Sequence, residues 1–557
     1  MVNYGRSGGC VTCRERRVKC DEAKPKCQAC HRLRLQCGGY KTKYANLKFK
    51  DESHKFHSQS VMVRGARKPT QEFSLRPLSE PDTAVPFYLH HYARLGRDMS
   101  SARGFYEVLI PIYRSQQQDS ALSLAVSAVA SQVLSLWRHD NSPRPQVAYA
   151  QAVQCLRRTL QDSREWGSAA TILAVLSLQL FETIAAIYGL RSSTQIHHNG
   201  AVSSLPLARA GDNNEIPSAY ARQFILHSEI CSAIRQERQL QTVASSWIRD
   251  NGLFTVPDNP SAALDAIGVS VARLQAQLKL ELQSGYVTLS REALSEYIAK
   301  TRQVDQQLLT WIQCVPDHWQ PLRLTNGWSI DSSIPVYQST CEIYPSCQIA
   351  TIWNLWRIQR ILTMKMKLSL LDAQGELECD SMPSNLQGVA ELQPIFQELV
   401  DCVCYSVPFY LGNLRKPLSI ADFTDSTILF PSSHVLGRNV NWNKHISYHP
   451  QVAVDEYRRH IIAQGPWHVM SPLSRLLTLH SEEYGPPMKT LFRPGQYEWI
   501  RNQFLRVTTL LHIPPADANT YSGCGSVSES LDPRDLDTIA ENHASRVRQG
   551  ATFMSGP

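Results

Sequence analysis

Six cysteines near the start of the chain constrain its fold more strongly than any other feature of the sequence. Their spacing is C-x2-C-x6-C-x6-C-x2-C-x6-C, formed by Cys10, Cys13, Cys20, Cys27, Cys30 and Cys37. A structural zinc ion takes four thiolate or imidazole ligands in a tetrahedron, with Zn–S distances of ~2.3 Å. No histidine stands at a compatible spacing, because His31 directly follows Cys30. Six thiolates therefore satisfy two zinc ions most economically if two of them bridge both metals.

The cysteine segment is also an internal duplication, and the duplication predicts which thiolates bridge. The first three cysteines repeat at the same spacing in the last three. A pseudo-two-fold arrangement then makes Cys10 and Cys27, the first cysteine of each half, the bridging ligands of two Zn²⁺ ions. In each half, C-x-x-C is expected on the first turn of a short helix and the third cysteine after that helix has ended. Pro25 is expected in the loop that joins the halves.

Three other interpretations of the cysteines are a disulfide framework, a cluster of reduced structural thiols and an iron–sulfur site. Disulfides require an oxidising compartment, and residues 1–6 contain no apolar segment typical of a secretory signal. Iron–sulfur clusters use four cysteines at other spacings. The spacing therefore favours zinc.

Residues 10–37 resemble the binuclear zinc cluster (Zn2Cys6) of fungal transcription factors. The resemblance is carried by the six cysteines, the basic stretch at 14–19, Asp21 and Pro25. It implies that the basic stretch lies on the first short helix, which enters the major groove of double-stranded DNA and reads a CGG-like triplet. The DNA-binding residues that it implies are Arg14, Arg16, Arg17 and Lys19. The chain departs from the commonest pattern by arginines at 16 and 17 and by the acid Glu15, which leaves the preferred triplet open.

The chemistry of these side chains agrees with the resemblance. A guanidinium can donate two hydrogen bonds to O6 and N7 of guanine, which is worth ~1–3 kcal/mol of discrimination. The resemblance implies that Arg17 is the base reader, with Arg16 and Lys19 as its close partners. The remaining cations would hold phosphates and make binding depend on salt. The alternative for each arginine is a solvated surface charge. Arg32 and Arg34, in the second half, are expected to contact the DNA backbone or to be merely exposed.

Charge is distributed unevenly along the chain. Residues 1–68 carry 17 basic and five acidic side chains, whereas the whole chain has a net charge of +8, so the remainder is slightly acidic. A basic arm of this kind suits a polyanion, and the zinc motif favours DNA over membrane or RNA.

A polar segment at 41–86, with four prolines, is predicted to be a linker after a DNA-binding domain at 1–40. Its lysines, or the basic group at 64–68, are candidates for a nuclear localisation signal, although a charge run of this size is more often a solvated tether. A nuclear protein is expected. No leucine heptad is sustained over three repeats. The chain is therefore expected either to bind DNA as a monomer or to form a homodimer through its body.

Apolar residues recur with helical periodicity from 87 to 512, which predicts one large all-helical domain. The fold class is therefore mainly α, with a small N-terminal binuclear zinc cluster, a polar linker and the helical domain. Helices are predicted at 121–137, 172–184, 218–236, 262–283, 290–313, 340–372, 389–411, 453–463 and 494–512. The 172–184 stretch is apolar on most faces but shorter than the ~20 residues of a membrane span, so no membrane partner is expected.

The body also resembles the fungal-specific transcription factor domain, through phrases at 198–201, 353–362, 406–412 and 465–467. The resemblance implies a helical array that controls activity, in some members by sensing a metabolite, and it implies regulation of a metabolic, secondary-metabolite gene cluster. Within 353–362, core packing is the preferred interpretation of the apolar residues, and a ligand pocket lined by Trp353 or Trp356 is the alternative. The paired histidines at 90–91 and 197–198 are not expected to bind metal.

Two further expectations concern the remaining cysteines and the C-terminal segment. Buried free thiols are expected at Cys155, Cys231, Cys314, Cys341, Cys347, Cys379, Cys402, Cys404 and Cys524. A flexible acidic tail is predicted at 513–557, with an activation helix that recruits transcription coactivators as the alternative.

Two functions follow from these observations. The first is a sequence-specific DNA-binding transcription factor of RNA polymerase II genes. The second is an enzyme or metabolite-binding helical protein with an accessory zinc module. The sequence contains no H-E-x-x-H, G-x-G-x-x-G or P-loop motif, and G-x-S-x-G occurs only at 5–9, directly before the first cysteine, so no catalytic residue is nominated and a non-enzyme is expected.

Overall fold

Helices account for nearly all regular structure in the computed structural model. It describes residues 9–40, 80–95, 101, 104–140, 142–192, 194–207, 215–252, 259–283, 290–325, 330–377, 384–432, 453–482, 488–515 and 533–550. The chain divides into two compact units, Met1–Leu75 and Arg76–Pro557. The first contains α1 (Val11–Glu15) and α2 (Gln28–Arg32).

The second unit contains fifteen α-helices among its described residues. They are α3 (Glu80–Tyr88), α4 (Tyr106–Arg114), α5 (Ala121–Arg138), α6 (Arg144–Thr159), α7 (Ala169–Ile187), α8 (Ile196–Ser203), α9 (Glu215–Gln236), α10 (Thr242–Asn251), α11 (Pro260–Gln283), α12 (Arg291–Cys314), α13 (Cys347–Leu377), α14 (Ser384–Leu411), α15 (Val454–Ser481), α16 (Gln496–Leu510) and α17 (Pro533–Gly550). The prediction of a mainly α fold is confirmed.

Serine caps begin several of these helices where the sequence turns from polar to apolar. The hydroxyl oxygens of Ser120, Ser168 and Ser290 accept hydrogen bonds from the third backbone N–H of α5, α7 and α12, at 3.2, 3.1 and 3.2 Å. Each bond satisfies a donor that has no partner within its own helix. Local sequence therefore sets these starts, which lie within a few residues of the predicted ones.

The core of the second unit surrounds α7, which packs on α5 and α8 and contacts α17. Both α5 and α7 are long and apolar enough to cross a membrane by length and composition, but 67% and 83% of their most apolar windows are buried inside the unit. The observed α7 extends beyond both ends of the helix predicted at 172–184. Burial by neighbouring helices, rather than length, is what distinguishes α7 from a membrane span.

A two-stranded antiparallel sheet interrupts the helices between α12 and α13. β1 (Leu322–Leu324) pairs with β2 (Cys341–Ile343), with Leu322 opposite Ile343. The helix predicted from 340 is wrong at its start, because all three residues of β2 are buried in extended conformation and the helix begins only at Cys347.

One predicted helix ends too early, before two prolines that the observed helix includes. The helix predicted at 453–463 continues as α15 to Ser481, with Pro466 and Pro472 buried inside it. A proline removes one backbone hydrogen bond and favours a kink, but packing of α15 against α13, α14, α16 and α17 holds the helix together. Tertiary contacts therefore outweigh the local signal.

The C-terminal segment contains a helix where a flexible tail was predicted. α17 packs on α15 and α7 and buries Ala540, Ala544 and Val547. These residues recur at i, i+4 and i+7, the spacing of one helix face. The prediction is therefore wrong for 533–550, since small apolar residues among the acids were enough to dock this helix. The greater part of the predicted linker at 41–86 lies outside the described residues.

Candidate zinc cluster and nucleic-acid interface

Each half of the N-terminal unit begins with a cysteine that caps its own short helix. Cys10 precedes α1, and its sulfur accepts a hydrogen bond from the backbone N–H of Cys13 at 3.4 Å. Cys27 precedes α2 and accepts from the N–H of Cys30 at the same distance. The C-x-x-C spacing thus brings two sulfurs to the first turn of each helix, as predicted.

The six sulfurs form two overlapping groups of four. One group is Cys10, Cys13, Cys20 and Cys27, and the other is Cys10, Cys27, Cys30 and Cys37, with all sulfurs of each group within 4.8 Å of one another. Cys10 and Cys27 belong to both groups, which is the sharing that the internal duplication predicted.

Sulfur separations within the groups fit tetrahedral zinc. A Zn–S bond of ~2.3 Å implies edges of ~3.8 Å between ligands. The sulfur of Cys10 lies 3.6 Å from that of Cys27 and 3.8 Å from that of Cys30, and the sulfurs of Cys13 and Cys27 are 3.7 Å apart. The donor set and its spacing therefore fit two zinc ions that share two thiolates.

Backbone amides favour the thiolate form of the two outer cysteines. The sulfur of Cys20 accepts hydrogen bonds from the N–H groups of Cys10 and Glu22, both at 3.4 Å, and these bonds lower the pKa of its thiol to about 7. The amides of Cys27 and Gly39 likewise lower the pKa of Cys37 to about 7. Because the thiolate is the metal ligand, the backbone prepares both positions for zinc.

Both short helices end in the same way, with an arginine in the left-handed conformation. Arg17 and Arg34 have φ angles of 55° and 51°. After Arg17, the N–H of Val18 donates to the carbonyl of Cys13 at 3.0 Å, and Leu35 repeats this bond to Cys30. This is a Schellman motif, whose left-handed position glycine usually occupies. The chain therefore turns sharply at the residue that sequence analysis predicts to read bases.

Two side chains of this unit tie its halves together. The Asp21 carboxylate accepts hydrogen bonds from the N–H groups of Gln28 and Ala29, at 3.0 and 3.2 Å, and caps α2 from outside it. These bonds lower the pKa of Asp21. The Thr12 hydroxyl accepts from the N–H of Gly38 and donates to the carbonyl of Gln36, at 2.8 and 3.0 Å.

Sequence analysis noted Asp21 only as part of a resemblance and missed Thr12 entirely. The signal for Asp21 was present, because aspartate is a preferred helix cap, but its distance of seven residues from Gln28 hid the partner. Gly9 was also missed. A Cβ there would lie 2.9 Å from the Cβ of Cys20, so glycine permits the close approach of these two segments.

The four cations predicted to contact DNA are all exposed. Arg14 lies in α1, Arg16 caps its end, Arg17 follows it and Lys19 precedes the third cysteine. Among the described residues, none of the four side chains makes a hydrogen bond or an ion pair. Their charges are therefore available to an external anion.

Residues singled out in the helical unit have structural contacts. Core packing is confirmed for Trp353 and Trp356, whose indole N–H groups donate to the carbonyls of Trp319 and Leu308, both at 2.8 Å. His198 is buried and shares a 2.7 Å contact with the Glu229 carboxylate. Among the described residues, the groups of potential ligands that could hold a metal are the two cysteine groups of the N-terminal unit.

The expectation of buried free thiols holds for five of the remaining cysteines and fails for two. Five cysteines are buried and form no disulfide within the described residues: Cys231, Cys341, Cys347, Cys402 and Cys404. Cys314 is exposed, because it is the last residue of α12, and Cys155 is half-buried at the margin of the core. Cys379 and Cys524 lie outside the described residues.

Comparison with known proteins agrees with the geometry of the cysteine segment. Residues 8–46 match the family model of the fungal Zn(2)-Cys(6) binuclear cluster domain. No solved structure is significantly similar to the chain.

Curated relatives match the same N-terminal segment. Pestheic acid cluster transcriptional regulator 3 of Pestalotiopsis fici is 58% identical over 41 residues, which is 7% of each chain. The aspercryptin biosynthesis cluster-specific transcription regulator of Emericella nidulans is 57% identical over 37 residues, or 6% of each chain. Arginine metabolism regulation protein II of Saccharomyces cerevisiae is 57% identical over 35 residues, 6% of this chain and 4% of that protein. The match thus spans less than a tenth of the length of these relatives.

Proposed function

We propose that this chain, whose residues 8–46 are a fungal Zn(2)-Cys(6) binuclear cluster domain, is a sequence-specific DNA-binding regulator of RNA polymerase II transcription. The observation that carries the proposal is the combination of two overlapping groups of four sulfurs with four exposed cations on and after α1. A domain of this family binds two zinc ions, and the six sulfurs are spaced to hold them. Catalysis is not part of the proposal, because the matched relatives are named as regulators.

Zinc has a structural part in this mechanism. The two ions would be held by the six cysteines, with Cys10 and Cys27 bridging, and they supply the cross-links that a segment with such a small core lacks. With the cross-links in place, α1 is a rigid support for the basic residues around its C-terminal end. A rigid support lowers the entropy lost when these side chains meet DNA.

The basic residues divide into a base reader and phosphate contacts. Arg17 stands at the sharp turn after α1 with an exposed guanidinium, which can pair in two-pronged fashion with guanine in the major groove. Arg14, Arg16 and Lys19 would neutralise nearby phosphates, which positions the domain without reading sequence. A CGG-like triplet is the expected target.

The proposed role in the cell follows from the relatives. Two of them are named for biosynthetic gene clusters and one for arginine metabolism, which supports a pathway-specific regulator of a metabolic gene cluster. Such a regulator works in the nucleus. The helical unit is proposed as its control domain, with homodimerisation and coactivator binding as further predictions.

The two pseudo-symmetric arginines allow a matched test of the base reader. Arg17→Gly and Arg34→Gly each remove one guanidinium from a left-handed position, and glycine tolerates that conformation, so both variants should retain two zinc ions. The target is first selected from a random duplex library with the wild-type chain. Affinity is then measured by fluorescence anisotropy on the selected duplex and on a shuffled duplex of equal composition.

Arg17→Gly should weaken binding to the selected duplex by about 10- to 100-fold and to the shuffled duplex far less, since a two-pronged guanine contact is worth ~1–3 kcal/mol. Arg34→Gly should weaken both to the same small extent and reduce the dependence on salt by about one phosphate contact. An equal loss on both duplexes for Arg17→Gly would refute its role as a reader. A wild-type chain with two zinc ions but no selected sequence would refute the proposed function.

A further inference from the structure

A cavity lies between α9, α13, α15 and α17 of the helical unit. Its volume is about 70 Å³. Leu355, Ile358 and Leu362 of α13 form an apolar wall, and Val547 of α17 adds to it. The lining also includes Arg475 of α15, together with Arg235 and Arg548. Trp353 and Trp356, the residues that sequence analysis considered for a pocket, are not part of this lining.

Arg475 is buried but makes no side-chain hydrogen bond to any residue that the structure describes. Its side chain is only 9% exposed, and none of its three guanidinium nitrogens makes a hydrogen bond within the described residues. The nearest carboxylate oxygens, of Glu237 and Glu482, each lie 3.7 Å away. This separation exceeds a hydrogen bond, and a buried charged group without a hydrogen bond is costly.

Positive charge exceeds negative charge around this cavity. Glu237 lies within 4 Å of four cationic groups, those of Lys279, Lys365, Arg475 and Arg548, at 3.1, 3.6, 3.7 and 3.8 Å. The second carboxylate, that of Glu482, also contacts Lys365. Two carboxylates among the described residues therefore face four cations before Arg235 is counted.

The arginines also disfavour one another. Burial, together with the charges of Arg475 and Arg548, lowers the pKa of Arg235 to about 10. Burial likewise lowers the pKa of Arg475. An anion placed between these arginines would reduce their mutual repulsion and would accept hydrogen bonds from Arg475.

We propose that this cavity binds a small organic anion, with its carboxylate or phosphate group held by Arg475 and flanked by Arg235 and Arg548. The apolar part of the ligand lies against the wall formed by Leu355, Ile358 and Leu362. The site belongs to the helical unit alone, so it does not depend on the proposed DNA-binding function. Because Val547 and Arg548 come from α17, the bound anion also links α17 to α9, α13 and α15.

Three eight-carbon probes separate the charge from the apolar body. Octanoate, octyl phosphate and 1-octanol are titrated into the zinc-loaded full-length chain by isothermal calorimetry. We expect at least one of the two anions to bind and 1-octanol to bind at least tenfold more weakly. A preference for octanoate identifies a carboxylate ligand and a preference for octyl phosphate identifies a phosphate ligand. Equal binding of all three probes, or no binding of either anion, overturns the proposal.

Substitutions test the assignment of Arg475. Arg475→Met should weaken anion binding roughly 10- to 100-fold, because the charge-assisted hydrogen bonds to the anion are lost. Arg360→Met is the matched control. Arg360 also lies on α13, but it pairs with Asp305 at 3.1 Å, and neither residue lines the cavity. The control should bind the anion with unchanged affinity. Unchanged affinity in Arg475→Met instead overturns the proposal.

A stability measurement separates binding from a structural role. Without ligand, Arg475→Met should melt at the same temperature as the wild-type chain or higher, because the substitution removes a buried charge that makes no hydrogen bond to the described residues. A much lower melting temperature, or failure to fold, would mean that the guanidinium stabilises the helices and would overturn the proposal. Arg548→Gln, at the half-exposed edge of the cavity, should fold normally and bind the anion several-fold more weakly.

Discussion

Buried acids among the described residues of the helical unit pair with cations or histidines of other segments. Glu342, in β2, pairs with Arg357 of α13 at 2.7 Å, and both side chains are nearly inaccessible. Glu229 of α9 pairs with Arg238 and His198, each at 2.7 Å. For His198 the sequence predicted no metal binding and gave no sign of the contact with Glu229. Glu229 stands 31 residues away, so no local pattern could reveal the pair.

Glu229 should make the stability of the helical unit depend on pH. Burial alone would raise its pKa, but hydrogen bonds from Arg238, His198 and the amide of Gln241 outweigh burial and hold the pKa at about 2. A carboxylate with a lowered pKa stabilises the fold above its unfolded value of 4.5, and this contribution is lost as the pH falls towards 2. Glu229→Gln should therefore lose roughly 3 kcal/mol at pH 7, as expected when one partner of a buried pair is removed. It should also show a shallower loss of stability between pH 4.5 and 2.

Urea unfolding of the wild-type and variant chains at several pH values in this window, followed by circular dichroism, measures both effects. The control is Glu296→Gln, which removes an exposed i,i+4 pair with Lys300 and should change stability by less than ~1 kcal/mol. A Glu229→Gln curve parallel to that of the wild-type chain down to pH 2 would contradict the assignment.

Helix crossings in this unit depend on positions that have no room for a side chain. Gly465 lies inside α15 where it crosses α14, and a Cβ there would overlap the carbonyl oxygen of Tyr410. Next to it stands Pro466, which local rules interpret as a helix end. The glycine and proline that indicate a break in the sequence thus mark a close contact between two helices.

Gly465→Ala should destabilise the helical unit by about 1–3 kcal/mol, because the added methyl group forces α14 and α15 apart. Gly200→Ala is the matched control. Gly200 lies in α8 with open space around it, so alanine should be neutral or should stabilise by up to ~1 kcal/mol through its higher helix propensity. Thermal or urea unfolding compares the two variants. Equal effects of both substitutions would mean that the α14–α15 contact is not tight.

At the scale of the whole molecule, each compact unit has its own core. Cysteines form the core of the N-terminal unit, and a continuous set of apolar residues from many helices forms that of the second. The first core contains four fully buried side chains, all of them cysteine. Such a core cannot hold a fold without metal, whereas the second core needs none.

Chelation should therefore separate the two units. Removal of zinc should unfold residues 9–40 and abolish DNA binding, while far-UV circular dichroism changes little, because α1 and α2 contain only five residues each. The urea midpoint of the remaining transition should stay unchanged. Addition of zinc should restore DNA binding. Loss of most helical signal on chelation would show that the helical unit requires the metal.

Local chemistry determined several features of this protein from sequence alone. The cysteine spacing predicts both sulfur groups and the two shared thiolates, since ligand number and duplication leave few arrangements. Helical periodicity predicts the mainly α fold and most of the long helices, since one apolar face must be buried. Serine caps explain why starts such as those of α5 and α12 were close to the prediction.

Tertiary structure alone decided the features that depend on distant partners. Packing carries α15 through two prolines and docks α17 against α15 and α7. The arginine-lined cavity brings together four helices, and its first and last lining residues, Cys231 and Arg548, are more than three hundred positions apart in the sequence. Sequence patterns report the neighbours that a residue has along the chain, whereas the burial and electrostatics of such a site depend on neighbours that only folding supplies.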